Sequence, residues 1–263
     1  MMHENNQQKI VTHNGIFHCD EIFAIEIIKK FIFKGNESLF QLERKSHVTD
    51  EELEDLNTFV LDIGGTLDAT KGNFDHHQDA NLPCTAVLVG AYYIPREYDL
   101  YSDNILEVID YNDRGVEVNK NATLPQFVSY CNEVENGFEL ARNACQNFLD
   151  VYLENAMTNY ENRKKFKNLS RALNGYVVCN LNNYISNWKS LAEKEGILFS
   201  ITKNSRDEHK FSLISRNSDI IQVPQGLETC EFRHYSGFMG VFSTYEDTIN
   251  AAKKALSNNG YSI

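Results

Sequence analysis

Lys9 to Thr12 (KIVT) is a short β-patterned run that gives way to the polar stretch His13 to Asp20. Beyond it, Ile22, Phe23, Ile25, Ile28 and Ile32 recur at helical spacing and predict a helix over Glu21 to Phe33. Asp20 stands where a carboxylate takes up the free amides of the first turn. The pattern then predicts a strand at Leu39 to Glu43, a short helix at Asp50 to Leu56 and a strand at Thr58 to Asp62. The Gly64-Gly65 pair ends that last strand, and Asn73-Phe74 leads into Asp75-His76-His77. Helices are predicted over Thr85 to Tyr93 and Asp103 to Asp113. The first half therefore reads as an α/β domain, with a mostly parallel sheet and helices on both faces.

Glu139 to Asn168 reads as helical and contains the cluster Arg163-Lys164-Lys165-Phe166-Lys167, whose ordinary reading is a solvated helix face. After Gly175 the pattern changes to strands at Tyr176 to Cys179, Ile197 to Thr202 and Lys210 to Ile214, with a helix at Ser186 to Glu195. A Gly-bounded segment, Ser236 to Gly240, leads to a closing helix at Tyr245 to Ser257. These shifts divide the chain into an α/β domain at 1–138, a helical connector at 139–174 and a smaller α/β domain at 175–263.

Charge narrows the choice of function. Twenty-five Lys and Arg against 37 Asp and Glu leave a net charge of −12 over 263 residues. That balance argues against a protein that coats duplex DNA with a basic face, but it suits one that holds cations on carboxylates. The longest nearly apolar run, Cys84 to Ile94, is far shorter than the roughly 18 residues of a membrane span. Met1 to Lys9 is polar, so no secretory leader is expected there. Six cysteines without a C-x-x-C pair suit reduced thiols in a cytoplasmic protein better than a disulfide framework or a zinc knuckle.

The polar residues at predicted strand ends carry the chemistry: His13-x4-His18-x-Asp20, then Asp62, then Asp75-His76-His77, then Asp110-x-x-Asp113. Taken singly, each has an ordinary reading. A histidine satisfies a loop, Asp62 organises a turn before Ile-Gly-Gly, and Asp110 and Asp113 end a helix. The triplet resists such a reading, because three adjacent ionisable groups after an apolar residue are costly unless paired or bound to metal. Ligands of open α/β sheets bind outside the carboxyl ends of the strands, where these groups converge. Mixed carboxylate and imidazole donors suit hard divalent ions such as Mn²⁺.

Thr12-His13-Asn14-Gly15-Ile16-Phe17-His18-Cys19-Asp20-Glu21, Leu61-Asp62-Ile63-Gly64-Gly65, Phe74-Asp75-His76-His77-Gln78 and Ile109 to Gly115 resemble the four N-terminal motifs of the MYG family. This family is a branch of the DHH phosphoesterase superfamily. Trp188 to Leu191, Ile197 to Ile201 and Phe232 to Gly240 resemble its C-terminal segments, so the likeness runs over nearly the whole chain. The chain departs from the family pattern at Arg44 to His47, at Cys84-Thr85 and at Arg114.

The resemblance implies a DHH-type domain, a second domain closing over a cleft, and two divalent metals, typically Mn²⁺, with Mg²⁺, Co²⁺ or Zn²⁺ as substitutes. Carried over, His13, His18 and Asp62 match one metal site, and Asp20, Asp62, His76 and Asp113 match the other, with Asp62 as bridge. His77 is assigned to substrate phosphate or leaving group, Asp75 to orienting His76, and Arg233, His234 and Gly237 to substrate binding. The implied activity is a metal-dependent phosphodiesterase, a 3′-to-5′ exonuclease on RNA or short oligonucleotides. A phosphohydrolase of a small metabolite or dinucleotide, and a non-catalytic metal- or nucleic-acid-binding module, are the alternatives.

Overall fold

In the computed structural model, which describes residues 8–98, 105–116, 123–182 and 185–263, the chain divides into two units at residues 157 and 158. The first unit is built on β1 (Gln8–His13), β2 (Phe40–Lys45), β3 (Thr58–Leu61), β4 (Leu67–Asp68) and β5 (Asn73–Phe74). Their order is β2-β1-β3-β5-β4; the first four run parallel and β4 returns antiparallel to β5. Thr12 pairs with Leu61, and Leu61 with Phe74. That register brings His13, Asp62 and Asp75, each at or just past the end of its strand, to the carboxyl edge of one sheet.

α1 (Cys19–Phe31) returns the chain from β1 with residues 19–29 all buried. It packs against α3 (Thr85–Tyr93), α4 (Ile105–Asp113) and α5 (Leu124–Cys131). Phe59 and Leu61 of β3 join this core. Val60, between them on the strand, lies with Leu53 of α2 (Asp50–Glu54) around Gly64. Alternation along the strand thus gives both faces of the sheet an apolar cover. α3 has its expected bounds, and α1 and α2 lie within two residues of theirs; residues 103 and 104 of the predicted fourth helix fall outside the described residues. α5, β4 and a 3₁₀ turn at Glu37–Leu39 were not expected. β4 and β5 have two residues each, too short for any period to register.

A buried ionic cluster ties the α1 core to α6 (Gly137–Lys167). Arg142 donates from Nε to Glu26 Oε1 at 2.8 Å and from Nη2 to Glu37 Oε1 at 2.7 Å, and Lys29 donates to Glu37 at 2.6 Å. Burial raises the Glu26 carboxyl, and Arg142 and Lys29 oppose that rise. Arg142→Ala leaves the buried Glu26 carboxylate with Lys29 as its remaining cation, at 3.4 Å, and is expected to cost about 3 kcal/mol. Urea unfolding monitored by circular dichroism checks it, and a loss below about 1 kcal/mol would show the cluster to be dispensable.

The second unit takes the end of α6 and continues with β6 (Ser170–Ala172), β7 (Val177–Asn180), α7 (Trp188–Lys194), β8 (Phe199–Lys203), β9 (Phe211–Ser215), β10 (Cys230–Arg233), β11 (Met239–Phe242) and α8 (Tyr245–Asn258). Its sheet has the order β10-β11-β9-β8-β7-β6; β7 and β8 are parallel and the other pairs antiparallel. One face buries Phe199, Ile201, Leu213 and Phe242 with Ala251, Ala252, Ala255 and Leu256 of α8. On the other face Val178 packs with Phe166, Trp188 and Ala192. Phe166 is buried while Arg163, Lys164, Lys165 and Lys167 are exposed, as a solvated basic face requires. The segment read as a lead-in to the closing helix instead joins β10 to β11 as a hairpin. No helix among the described residues is long and apolar enough to cross a membrane.

Candidate metal centre

His13 closes β1, and its ring Nδ1 lies 3.0 Å from the Asn14 carbonyl. Donation there turns Nε2 toward two carboxylates, Glu21 Oε1 at 3.0 Å and Asp62 Oδ2 at 3.3 Å. His18 caps α1, whose first turn carries Asp20 and Glu21, both fully buried. Glu21 Oε2 accepts from the His18 amide at 2.8 Å, which fixes the start of the helix.

Asp62 follows β3 with φ +59, a left-handed conformation that Asp tolerates better than most side chains. Its amide donates to the Phe74 carbonyl at 2.9 Å, and the Thr85 hydroxyl donates to Oδ1 at 3.0 Å. Oδ1 also meets His76 Nε2 at 3.3 Å, and His76 Nε2 in turn meets Asp113 Oδ2 at 3.3 Å and Asp20 Oδ2 at 4.0 Å. Three sets of ligand atoms each lie within 4.8 Å of one another: His13, His18, Glu21 and Asp62; Asp62, His76 and His77; and His18, Asp20 and Asp113. All six residues matched as metal ligands therefore come together. Glu21 joins them, although in the sequence it reads only as a helix-start residue.

The electrostatics fit a cation. Both carboxylate oxygens of Asp20 are buried without a hydrogen-bond donor. Burial first, then the neighbouring Asp62, Asp113 and Glu21, hold its carboxyl well above the usual range. Asp113 is raised by burial and by Asp62. Burial would raise Asp62 as well, but bonds from His13 and His76 outweigh it and hold Asp62 below the usual range. His13 is pushed up to about 10 by Asp62 and Glu21. A cluster of buried carboxylates with too few donors is relieved by divalent cations.

Two placements depart from expectation. Asp75 serves His77 rather than His76: its Oδ1 lies 2.7 Å from His77 Nδ1 and accepts the His77 amide at 3.0 Å, while Oδ2 accepts the Gly65 amide at 2.6 Å. Asp110 faces away from the cluster, accepting from Arg114 Nε at 3.0 Å and from the Cys84 amide at 2.8 Å. Arg44, within a stretch where the chain departs from the family pattern, donates to the carbonyls of His13 and Gly15 and holds the β1–α1 loop.

In the second unit, Arg233 donates to carbonyls of its own unit, Nε to Val223 at 2.6 Å and Nη1 to His234 at 3.2 Å, while Nη2 donates to Gln222 Oε1 at 3.2 Å. Gly237, at φ +72, makes room for it, since a Cβ there would stand 2.5 Å from Arg233 Nη2 and 2.8 Å from Gln222 Cβ. Gly237→Ala is expected to destabilise the chain by roughly 1–3 kcal/mol without changing metal content. Thermal unfolding paired with metal analysis checks this; an unchanged Tm would show that the hairpin readily yields. His234 Nδ1 lies 3.0 Å from the Ser236 hydroxyl, and its ring packs on Phe238.

Residues 9–83 match the MYG1 exonuclease family model, described as an uncharacterised protein family (UPF0160). This span holds every ligand of the cluster except Asp113. A MYG1 protein of Schizosaccharomyces pombe is 24% identical over 96% of this chain and 98% of its own length. A MYG1 protein of Dictyostelium discoideum is 22% identical over 95% and 97%. A MYG1 exonuclease of Rattus norvegicus is 33% identical over 27% of this chain and 17% of its own length. The matched span holds the cluster except Asp113, and the likeness to the two MYG1 proteins runs over nearly the whole chain, so the chain is similar to MYG proteins throughout its length.

Proposed function

We propose that this chain is a divalent-metal-dependent phosphodiesterase with a DHH-type catalytic unit, removing nucleotides from the 3′ end of RNA or short oligonucleotides. The observation that carries the reading is the Asp20–Asp62–Asp113 carboxylate cluster, whose Asp20 oxygens have no donor and whose Asp62 belongs to two of the three ligand sets. Four parallel strands with the Asp-His-His triplet at the end of one of them support the DHH-type layout. The name of the rat relative supports a nucleic-acid substrate.

His13, His18, Glu21 and Asp62 would hold one ion, and Asp20, Asp62, His76 and Asp113 a second, with Mn²⁺ the best match to mixed oxygen and imidazole donors. When bound, such ions lower the pKa of a water nucleophile and offset phosphate charge. The protein's own part is positional. Thr85 and the two histidines fix the orientation of Asp62, and the Gly65 amide fixes Asp75. Asp75 holds His77 by Nδ1, which leaves Nε2 of that exposed ring to meet a phosphate oxygen or the leaving group. His234 and Gly237 of the second unit would shape the substrate's contact there. Arg233 would act by holding that hairpin.

Turnover with Mn²⁺ on an end-labelled RNA 5-mer, a pApA-type dinucleotide and pyrophosphate tests the reading. Stepwise shortening of the 5-mer from its 3′ end is expected. Cleavage of the dinucleotide alone would move the assignment to a small-substrate phosphohydrolase, and no turnover of any substrate with metal bound would overturn an enzymatic role.

A further inference from the structure

Between the β1–α1 loop and α5 of the first unit lies a pocket of about 350 Å³, within the range that holds small ligands. Asn132 shapes it. Its Oδ1 accepts the Phe17 amide at 3.0 Å and its Nδ2 donates to the Phe17 carbonyl at 2.9 Å. That clamp fixes the wall beside His18, a residue the pocket shares with the metal-ligand sets. Asn112, which precedes Asp113 on α4, adds to the lining, and Ile16 stands 69% exposed on the loop.

The lining is polar but uncharged. Among the described residues, no Lys, Arg, Asp or Glu lines the pocket. Protein side chains hold phosphate mainly with cations and charge-assisted hydrogen bonds, so this pocket suits a neutral part of a ligand. Asn112, Thr123 and Ser129 make no side-chain hydrogen bond among the described residues, whereas Gln126 is engaged with the Tyr130 hydroxyl at 2.8 Å. A hydroxyl both donates and accepts, and a primary amide does the same. Such groups match a ligand that is itself hydroxylated.

Position decides which neutral part enters. In a nucleic acid the group bonded directly to a phosphate is a ribose, and the base is attached beyond it. A pocket that shares His18 with the metal centre therefore meets the sugar first. We propose that this pocket reads the ribose next to the scissile phosphate, with Asn112 and Ser129 binding its 2′-hydroxyl and so selecting RNA over DNA. Ile16 and Pro125 give the sugar carbons an apolar edge. The assignment rests on the nuclease reading above and adds to it the residues that choose the sugar.

Fluorescence anisotropy of the full chain with end-labelled RNA and DNA 5-mers of one base sequence, with Ca²⁺ in place of Mn²⁺, tests the proposal. RNA is expected to bind at least tenfold more tightly than DNA. Asn112→Ala with Ser129→Ala is expected to bring that ratio below about threefold by weakening RNA alone, at unchanged Tm, since both side chains are exposed. A loss of structure would weaken both strands alike. A single 2′-deoxy sugar on one side of the 3′-terminal phosphodiester is expected to reproduce the weaker binding of DNA and so to locate the ribose. Equal binding of RNA and DNA, no effect of a 2′-deoxy sugar on either side, or an RNA preference that survives both substitutions overturns the proposal. Mn²⁺-dependent turnover of the same strands reads the metal centre separately. Equal turnover of RNA and DNA would keep the phosphodiesterase and remove the ribose pocket. A binding preference that the double variant abolishes, with no turnover of either strand, would keep the pocket and remove the enzyme.

Discussion

Asp62→Asn is expected to lower divalent-metal affinity by more than about 100-fold and to remove turnover with it. That loss lies beyond the usual effect of removing an outer contact to a metal ligand. Asn keeps the size of the side chain, its hydrogen-bonding reach and its tolerance of the left-handed φ of +59, so the fold should survive. It gives up the charge that faces His13 and His76. Because Asp62 is a charged, buried carboxylate that turns Oδ2 to His13 and Oδ1 to His76, both ions should be lost together. His18→Ala removes an exposed donor and leaves His13, Glu21 and Asp62 in place, so a weaker and partial loss is expected. Metal content measured on purified variants checks both; two ions retained in Asp62→Asn would end its assignment as the shared ligand.

Mn²⁺ is expected to stabilise the chain progressively more as the pH rises from 6 to 9. Without metal, His13 is raised from its ordinary 6.5 to about 10, so the stability it lends is fully present below about 6.5 and is lost as the pH climbs through 10. Asp20 and Asp113, held above the usual range, act in the same direction: the metal-free fold gains as they take up protons and loses as they ionise. Metal requires the opposite protonation, neutral imidazole and ionised carboxylate, so binding displaces protons that the metal-free cluster retains. One displaced proton makes apparent affinity rise about tenfold per pH unit, roughly 10³-fold over three units. The Tm of the metal-free chain should therefore fall across this range while the Mn²⁺-induced rise in Tm grows. Scanning fluorimetry at fixed Mn²⁺ checks this, and a shift that stays flat from pH 6 to 9 would show that His13 is not displaced from its proton.

The sequence by itself determined the strand–helix alternation of the first unit and the chemical types gathered at its edge. Apolar runs such as Thr58 to Leu61 bury both faces, and a polar residue directly after such a run is placed at a strand end without further information. The Asp75-His76-His77 triplet was legible for the same reason, as charge set against burial. Only the tertiary structure decided the pairings, because these depend on strand register and on helices packed from distant parts of the chain. Thr85 reaches Asp62 from 23 residues away, and Glu21, placed by the first turn of α1, enters the cluster through its position beside β1 and β3. Local turn geometry, through the amide of Gly65, directs Asp75 to His77. Asp110 and Asp113 sit three residues apart on one helix, yet Asp110 is drawn to Arg114 and the Cys84 amide while Asp113 turns to His76. In the second unit the short strands β10 and β11 carry too little periodicity to be read, and they exist because β11 pairs with β9 and β10 pairs with β11, which satisfies backbone groups of both. Periodicity along a chain fixes the face on which a residue lies; what it meets there is fixed by elements that the local sequence does not contain.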